Sequence, residues 1–259
     1  MLEITPVKAF KDNFIWMLHN PGANTAVAVD PGEGAPVLAW LKEQGLELSA
    51  ILITHKHSDH TGGVMDLRFA FPSVPVFGPS NEPIRGIKVR LKEGDRPEIP
   101  GLQADFTVME VPGHTEGHIA YYGEGMLLCG DTLFSAGCGG IFGGTHQQMH
   151  ASLQRIAKLP AETLVYCAHE YTLANLGFAK WVEPENQAVL QYEEEAKRVL
   201  QQGGNTVPSR LQTELDVNPF LRVAEPAVKA AAERFIGQPL ESGEAVFTAI
   251  RRWKDREYD

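Results

Sequence analysis

THKHSDHTGG, residues 54–63, decides how this chain is read. His55, His57, Asp59 and His60 place four metal-ligating side chains within six positions. They follow directly on the apolar run AILI (50–53) and precede a predicted helix. A strand end is a rigid origin, and the alternation of an extended chain sends positions 55, 57 and 59 toward a common side. Gly62 and Gly63 leave the following turn uncrowded. Three imidazoles and a carboxylate cannot share an apolar interior without heavy compensation, which argues against a packing role. Histidine and carboxylate donors together suit divalent zinc, iron or manganese.

Three further candidates lie downstream. His114 stands in VPGHTEGH after the run DFTVMEV, Asp131 in LLCGDTLF after MLL, and His169 in LVYCAHE after LVYC. Taken singly, such a residue at a strand end is ordinarily a cap or turn residue. Together with the first four they repeat one pattern, a candidate ligand just past the C-terminal end of an apolar strand. In layered α/β folds that is the edge where sites assemble. Seven side chains, one carboxylate bridging, suffice to give each of two ions the four bonds typical of zinc. A water-derived hydroxide between the ions completes a catalytic centre.

The first two thirds of the chain read as short apolar runs separated by turns. They are TAVAVD (25–30), AILIT (50–54), DFTVMEV (105–111), IAYYGEGMLLCGD (119–131), with a hairpin turn at Gly123-Glu124-Gly125, and ETLVYCAH (162–169). Such nearly continuous apolar runs belong to strands covered on both faces. Helices are predicted over APVLAWLKEQG (35–45), ended by Gly45, and HQQMHASLQRIAKL (146–159), stopped by Pro160. From about Tyr171 the chain turns helical. ENQAVLQYEEEAKRVLQQGG (185–204) runs from Pro184 to the Gly203-Gly204 pair, followed by EPAVKAAAERFIG (225–237) and SGEAVFTAIRRWKDREY (242–258). In the last, Val246, Ile250 and Trp253 make one apolar face. The expectation is an α/β catalytic domain over 1–170 and a helical domain over 171–259.

Composition narrows the function classes. The 259 residues are 43% hydrophobic and 22% charged, and 25 Gly and 17 Pro are spread along the chain, as in a globular protein. The net charge of −10 disfavours attraction to nucleic-acid backbones. No apolar run approaches the roughly 20 residues of a membrane span, and MLEITPVKAFKDNF lacks the pattern of a signal peptide. Cys129, Cys138 and Cys167 are odd in number and match no CxxC spacing, so a reducing cytoplasm and no disulfide framework are expected; a monomer is expected separately.

HKHSDH matches the HxHxDH signature of the metallo-β-lactamase superfamily. The blocks PGHTEGH, CGDTLFSAGCG and CAHEYTLANLGFA, with NPFLR (218–222) and RRWKDR (251–256), resemble the hydroxyacylglutathione hydrolase, or glyoxalase II, family nearly end to end. The resemblance implies an αββα metallo-β-lactamase sandwich followed by a C-terminal α-helical domain that helps bind glutathione. It implies His55, His57 and His114 on one divalent ion, Asp59, His60 and His169 on a second, and Asp131 bridging. Zinc is the first expectation, with iron and manganese also used in the family. The implied reaction is hydrolysis of glutathione thioesters, chiefly S-D-lactoylglutathione to D-lactate and glutathione. Gly140, Ile141, Phe142, Tyr171, Arg251 and Lys254 are the implied substrate contacts. Gly140 departs from the family, where a Lys or Arg is usual.

The chemistry is consistent with the donors. Two dications depress the pKa of bound water, toward roughly 7 for a single zinc site. The hydroxide attacks the thioester carbonyl while Asp59 positions it, and no serine or cysteine nucleophile is needed. Arg251 and Lys254, three apart on one helical face, suit a carboxylate of glutathione. His146 and His150 are i, i+4 but lack the Glu of HExxH and read as surface residues. His118 reads as a packing or ligand-supporting histidine, and GCGGIFGGT lacks the GK[ST] ending of a phosphate loop. The rival readings are a one-iron glutathione persulfide dioxygenase and a lactonase. A non-catalytic relative should have lost ligands, and none of the seven is missing.

Overall fold

The computed structural model describes residues 2–258. Packing divides them into two compact units. One comprises the residues up to Val111 with Thr115–Gly130, the other Pro112–His114 with the residues from Asp131 onward. The change in composition near residue 170 lies elsewhere. It marks where strands give way to helices within the second unit.

The first unit opens with β1 (Glu3–Ala9), β2 (Asn13–His19), β3 (Thr25–Val29), α1 (Gly34–Gln44) and β4 (Glu47–Leu52). After the short α2 (Ser58–Thr61) and α3 (Val64–Ala70) come β5 (Val76–Pro79) and β6 (Val89–Leu91). The six strands pair in chain order. β1 to β3 are antiparallel, and β3 to β6 are parallel. The change of direction follows from the connections, since a tight turn joins antiparallel neighbours whereas parallel ones need a crossover such as α1. Gly45 ends that helix at φ 67°, the left-handed conformation expected of it. Val37 and Leu41 of α1, Ile15 and Met17 of β2 and Ile51 of β4 share one apolar cluster.

β7 (Thr107–Glu110), β8 (Ile119–Gly123) and β9 (Met126–Gly130) form an antiparallel meander. Its hairpin turns at Glu124 (φ 53°) and Gly125 (φ 75°), two positive φ values in succession, as a two-residue turn between twisted strands requires. The meander grips the end of β4: Tyr121 Oη donates to the Ile53 carbonyl (2.9 Å), and Ile119 N to that of Thr54 (3.0 Å). Burial raises the Tyr121 pKa well above its ordinary value, so the hydroxyl remains a neutral donor. β1 and β2 go beyond the runs singled out from the sequence.

The second unit contains β10 (Leu133–Phe134), β11 (Gly137–Cys138), α4 (His146–Ile156), β12 (Leu164–Cys167), α5 (Thr172–Val182) and α6 (Gln187–Gln201). β13 (Ser209–Arg210), α7 (Leu211–Val217), α8 (Pro226–Ile236) and α9 (Gly243–Glu257) complete it. Side chains fix the helix starts: Thr145 and Gln148 form a capping box, Asn186 accepts from two amides, and Ser242 accepts from Ala245 N. α4 ends at Ile156, three residues short of the predicted Leu159, because a turn intervenes before Pro160. α5, which carries Asn175 and Gly177 within it, is a helix the sequence reading did not single out. Val246 and Ile250 of α9 face inward as expected. Among the described residues no helix is long and apolar enough to cross a membrane.

Candidate metal centre

Four of the expected ligands gather at the end of β4, and a buried carboxylate organises them. Asp30 follows β3, is 4% exposed and sits at φ 51°. Its Oδ1 accepts from Thr54 N (2.8 Å), and its Oδ2 from Thr54 Oγ1 (2.7 Å). That first bond takes the residue-54 amide out of the sheet ladder, so β4 stops at Leu52 and the chain swings into the histidines. Because the Thr54 hydroxyl donates to Asp30, its oxygen accepts from His55 Nδ1 (3.1 Å). His60 Nδ1 donates to the same Asp30 Oδ2 (3.0 Å). Both rings therefore carry their proton on Nδ1 and present the Nε2 lone pair, the form a metal requires.

The remaining geometry of this half fits a cation. His55 Nε2 and His57 Nδ1 approach to 3.0 Å, two ring nitrogens converging on one point. His60 Nε2 lies 3.3 Å from Asp59 Oδ2, which also accepts from Asn13 Nδ2 (3.0 Å) at the start of β2. Asp30, His55 and His60 also form a potential ligand group by themselves. The three donors already directed at its carboxylate make Asp30 an orienting group instead. His118 is fully buried and stacks on His55 with centroids 4.6 Å apart, which gives it the supporting role expected. On the same side, Phe10 at the β1–β2 turn is 56% exposed at φ 48°, its amide held by Glu33 Oε2 (2.7 Å).

The second unit brings the other three together. Asp131 lies between two imidazoles, with Oδ2 3.4 Å from His114 Nε2 and Oδ1 3.4 Å from His169 Nε2. His114 Nδ1 donates to the Gly140 carbonyl (2.8 Å), which again leaves the Nε2 lone pair directed at the carboxylate side. One carboxylate thus directs one oxygen toward each of two imidazole nitrogens. Gly139 has no alternative, since a Cβ there would land on the Asp131 carbonyl oxygen. Phe142 is 69% exposed and sets its ring edge-on to His114 (5.4 Å). Tyr171 stacks parallel on His169 at 4.7 Å.

Arg251 and Lys254 are not on a solvated face. Arg251 is 1% exposed: its Nη1 donates to the Cys138 carbonyl (3.1 Å), its Nε and Nη2 bind Asp255 Oδ1, and the guanidinium lies 5.2 Å from the Phe220 ring centre. Lys254 is buried as well. His146 and His150 depart from the surface role expected. Both are partly buried against Phe247 of α9, and burial lowers both pKa values. Burial pushes the Cys138 thiol up to about 11 and the Cys167 thiol up to about 12, so neither is a nucleophile near neutral pH. Sequence reading missed Asp30, Thr54 and Asn13. An aspartate ending a buried strand was the available signal for Asp30, and nothing in the pattern distinguishes the other two.

Residues 14–169 match the family model described as metallo-beta-lactamase superfamily, and residues 170–257 match the one described as hydroxyacylglutathione hydrolase C-terminus. The chain is 50% identical to a hydroxyacylglutathione hydrolase of Nitrosomonas eutropha, covering 98% of this chain and 99% of that protein. A hydroxyacylglutathione hydrolase of Aliivibrio salmonicida is 52% identical with the same coverages. Among solved structures, one determined in a di-iron-bound form is 29% identical, covers 64% of this chain and 91% of its own, and superposes with a TM-score of 0.53.

Proposed function

The chain belongs to the hydroxyacylglutathione hydrolase family of the metallo-β-lactamase superfamily, and on that premise we propose that its seven ligands hold two divalent ions at which a thioester is cleaved. Its fold is the metallo-β-lactamase fold with mixed sheets, followed by a C-terminal helical region. It is a divalent-metal hydrolase of glutathione thioesters, acting on a small-molecule substrate. The proposal assigns His55, His57 and His114 to one ion, Asp59, His60 and His169 to the other, and Asp131 to both. Zinc is the first candidate, then iron and manganese. The carrying observation is the Asp131 carboxylate, with one oxygen 3.4 Å from each of two imidazole nitrogens. The two irons of the solved relative support the same stoichiometry.

Bound divalent ions supply Lewis acidity, which generates hydroxide from water at neutral pH and polarises a thioester carbonyl. The residues do the positioning. Asn13 donates to Asp59 Oδ2 and so fixes the carboxylate that would orient the attacking water. Asp30, Thr54 and the Gly140 carbonyl hold the imidazole protons on Nδ1 throughout. Glutathione departs as a thiolate, and since a free thiol has a pKa of about 8.5, no general acid is required.

For glutathione we assign Gly140, Ile141, Phe142 and Tyr171 as direct contacts, supported by the exposure of Phe142 and Tyr171 beside proposed ligands. Arg251 and Lys254 complete the set, with Arg251 acting through the Cys138 carbonyl that it holds. The division at residue 170 into a catalytic part and a helical glutathione-binding part is retained as a functional one. A cytoplasmic monomer engaging neither nucleic acid nor membrane belongs to the same proposal. Its supports are the net charge of −10 and three buried cysteines outside any disulfide.

The metal-loaded protein should consume S-D-lactoylglutathione, with loss of thioester absorbance and one thiol released per turnover. Folded, loaded protein that leaves the thioester intact while taking up oxygen with glutathione persulfide would make it a dioxygenase.

Gly140→Lys tests the departure from the family. Gly140 is not among the left-handed glycines, and the nearest atoms a Cβ there would meet, at 3.0 Å, are at the edge of the exposed Phe142 ring, which can swing aside. The variant should therefore melt as the parent does. An exposed ion pair is worth about 0.2–1 kcal/mol, so KM should fall about twofold to fivefold at low salt with kcat unchanged. Normal melting with an unaltered KM would show that the missing charge does not matter in this loop.

A further inference from the structure

The β10–β11 hairpin is two residue pairs long, with Leu133 opposite Cys138 and Phe134 opposite Gly137. Its turn, Ser135-Ala136, is fully buried, and Ala136 sits at φ 56°. Buried backbone polar groups require partners, and so short a hairpin cannot supply them from its own ladder. Side chains from the C-terminal helices do so. Asn218 Nδ2, at the end of α7, donates to the Phe134 (3.2 Å) and Gly137 (2.9 Å) carbonyls. Asn175 Nδ2 of α5 donates to the Ser135 carbonyl (2.9 Å), and Glu214 Oε2 of α7 accepts from Ala136 N (2.7 Å). Arg251 of α9 donates to the Cys138 carbonyl. Asn175, Glu214, Asn218 and Arg251 are each at most 2% exposed.

What the hairpin carries makes this clamp functional. Asp131 lies two residues before it and Gly139 directly after it, with Gly139 N donating to the Thr132 carbonyl (3.4 Å). The next residue, Gly140, supplies the carbonyl that fixes His114. A shift of the hairpin would move the bridging carboxylate and the His114 acceptor together.

We propose that Asn175, Glu214, Asn218 and Arg251 are positioning residues for the metal ligands Asp131 and His114, so that the C-terminal helices shape the metal centre as well as any substrate site. The proposal rests on the reading of Asp131 and His114 as ligands. It gives NPFLR, a block with no role in the chemistry, a physical task through its first residue.

The test is zinc affinity, measured by chelator competition on the full-length protein, for Asn218→Ala, Glu214→Ala and Asn175→Ala. Val246→Ala, in the α9 core, serves as a control for general destabilisation, and Asp131→Asn as a control for the ligand reading. Loss of a group that supports a ligand typically weakens metal binding 10- to 100-fold. That range is expected for Asn218→Ala, Glu214→Ala and Asn175→Ala, with altered visible bands in the cobalt-substituted protein and KM at saturating zinc within about twofold of the parent. Val246→Ala should lower the melting temperature and leave zinc affinity unchanged. Parent-like zinc affinity in folded Asn218→Ala overturns the proposal. If that variant does not fold, parent-like affinity in folded Asn175→Ala and Glu214→Ala does so. Asp131→Asn binding both ions as the parent does would instead defeat the ligand assignment beneath it.

Discussion

Asp131→Asn is expected to lose both metal ions and at least about a thousandfold in kcat/KM. The carboxylate is 6% exposed and directs one oxygen to each of two imidazole nitrogens. Asparagine replaces one of those oxygens with an NH2 donor that repels a cation, and removes the negative charge two dications would share. Lewis-acid stabilisation is worth several kcal/mol, and about 1.4 kcal/mol is tenfold in rate, which sets the scale. His114→Ala should mainly weaken the ion that it shares with His55 and His57. Elemental analysis beside steady-state kinetics checks both, and two tightly held ions in Asp131→Asn would contradict the bridging role.

Asp30→Asn should produce the second largest loss although Asp30 is not assigned as a ligand. Asparagine tolerates the left-handed backbone of residue 30, so the substitution isolates the hydrogen bonds. Three donors converge on the carboxylate: Thr54 N, Thr54 Oγ1 and His60 Nδ1. An amide has one accepting oxygen, so its NH2 must face at least one of those donors in a buried site. An unsatisfied buried polar group costs about 1–3 kcal/mol, more when charge is involved. The tautomers of His55 and His60 also lose their common anchor. Metal affinity should fall about 10- to 100-fold, and the melting temperature should drop with it. Parent-like zinc affinity would show that the imidazoles are oriented by their ring contacts instead.

The proposed ligands were legible as candidates because ligand chemistry is local. HKHSDH concentrates donors that no core accepts, and His114, Asp131 and His169 each follow an apolar run. Their supports were not legible. Asp30, Thr54 and Asn13 reach the histidine segment from positions 24, 1 and 46 residues away from their partners, and hydrogen bonds of that kind leave no periodic trace. Helices with sharp punctuation, such as α1 before Gly45 and α8 between Pro226 and Gly237, agree closely with their signals. α5 carries Asn175 and Gly177 inside LANLGFAKWV, interior signals that argue against a helix, and it emerges only in three dimensions. Arg251 and Lys254 show the limit of helical-face reasoning. Their spacing correctly places them together, but burial depends on what packs against α9. The hairpin at 133–138 is too short to give an alternating pattern, and its stability comes from side chains 40 to 113 residues distant.

Elemental analysis of a fully active, metal-replete preparation, with turnover of S-D-lactoylglutathione measured on the same sample, is the most direct test of the two-ion centre. Close to two divalent ions per chain, with activity lost as they are withdrawn by a chelator, is the expected result. One ion per fully active chain would contradict it.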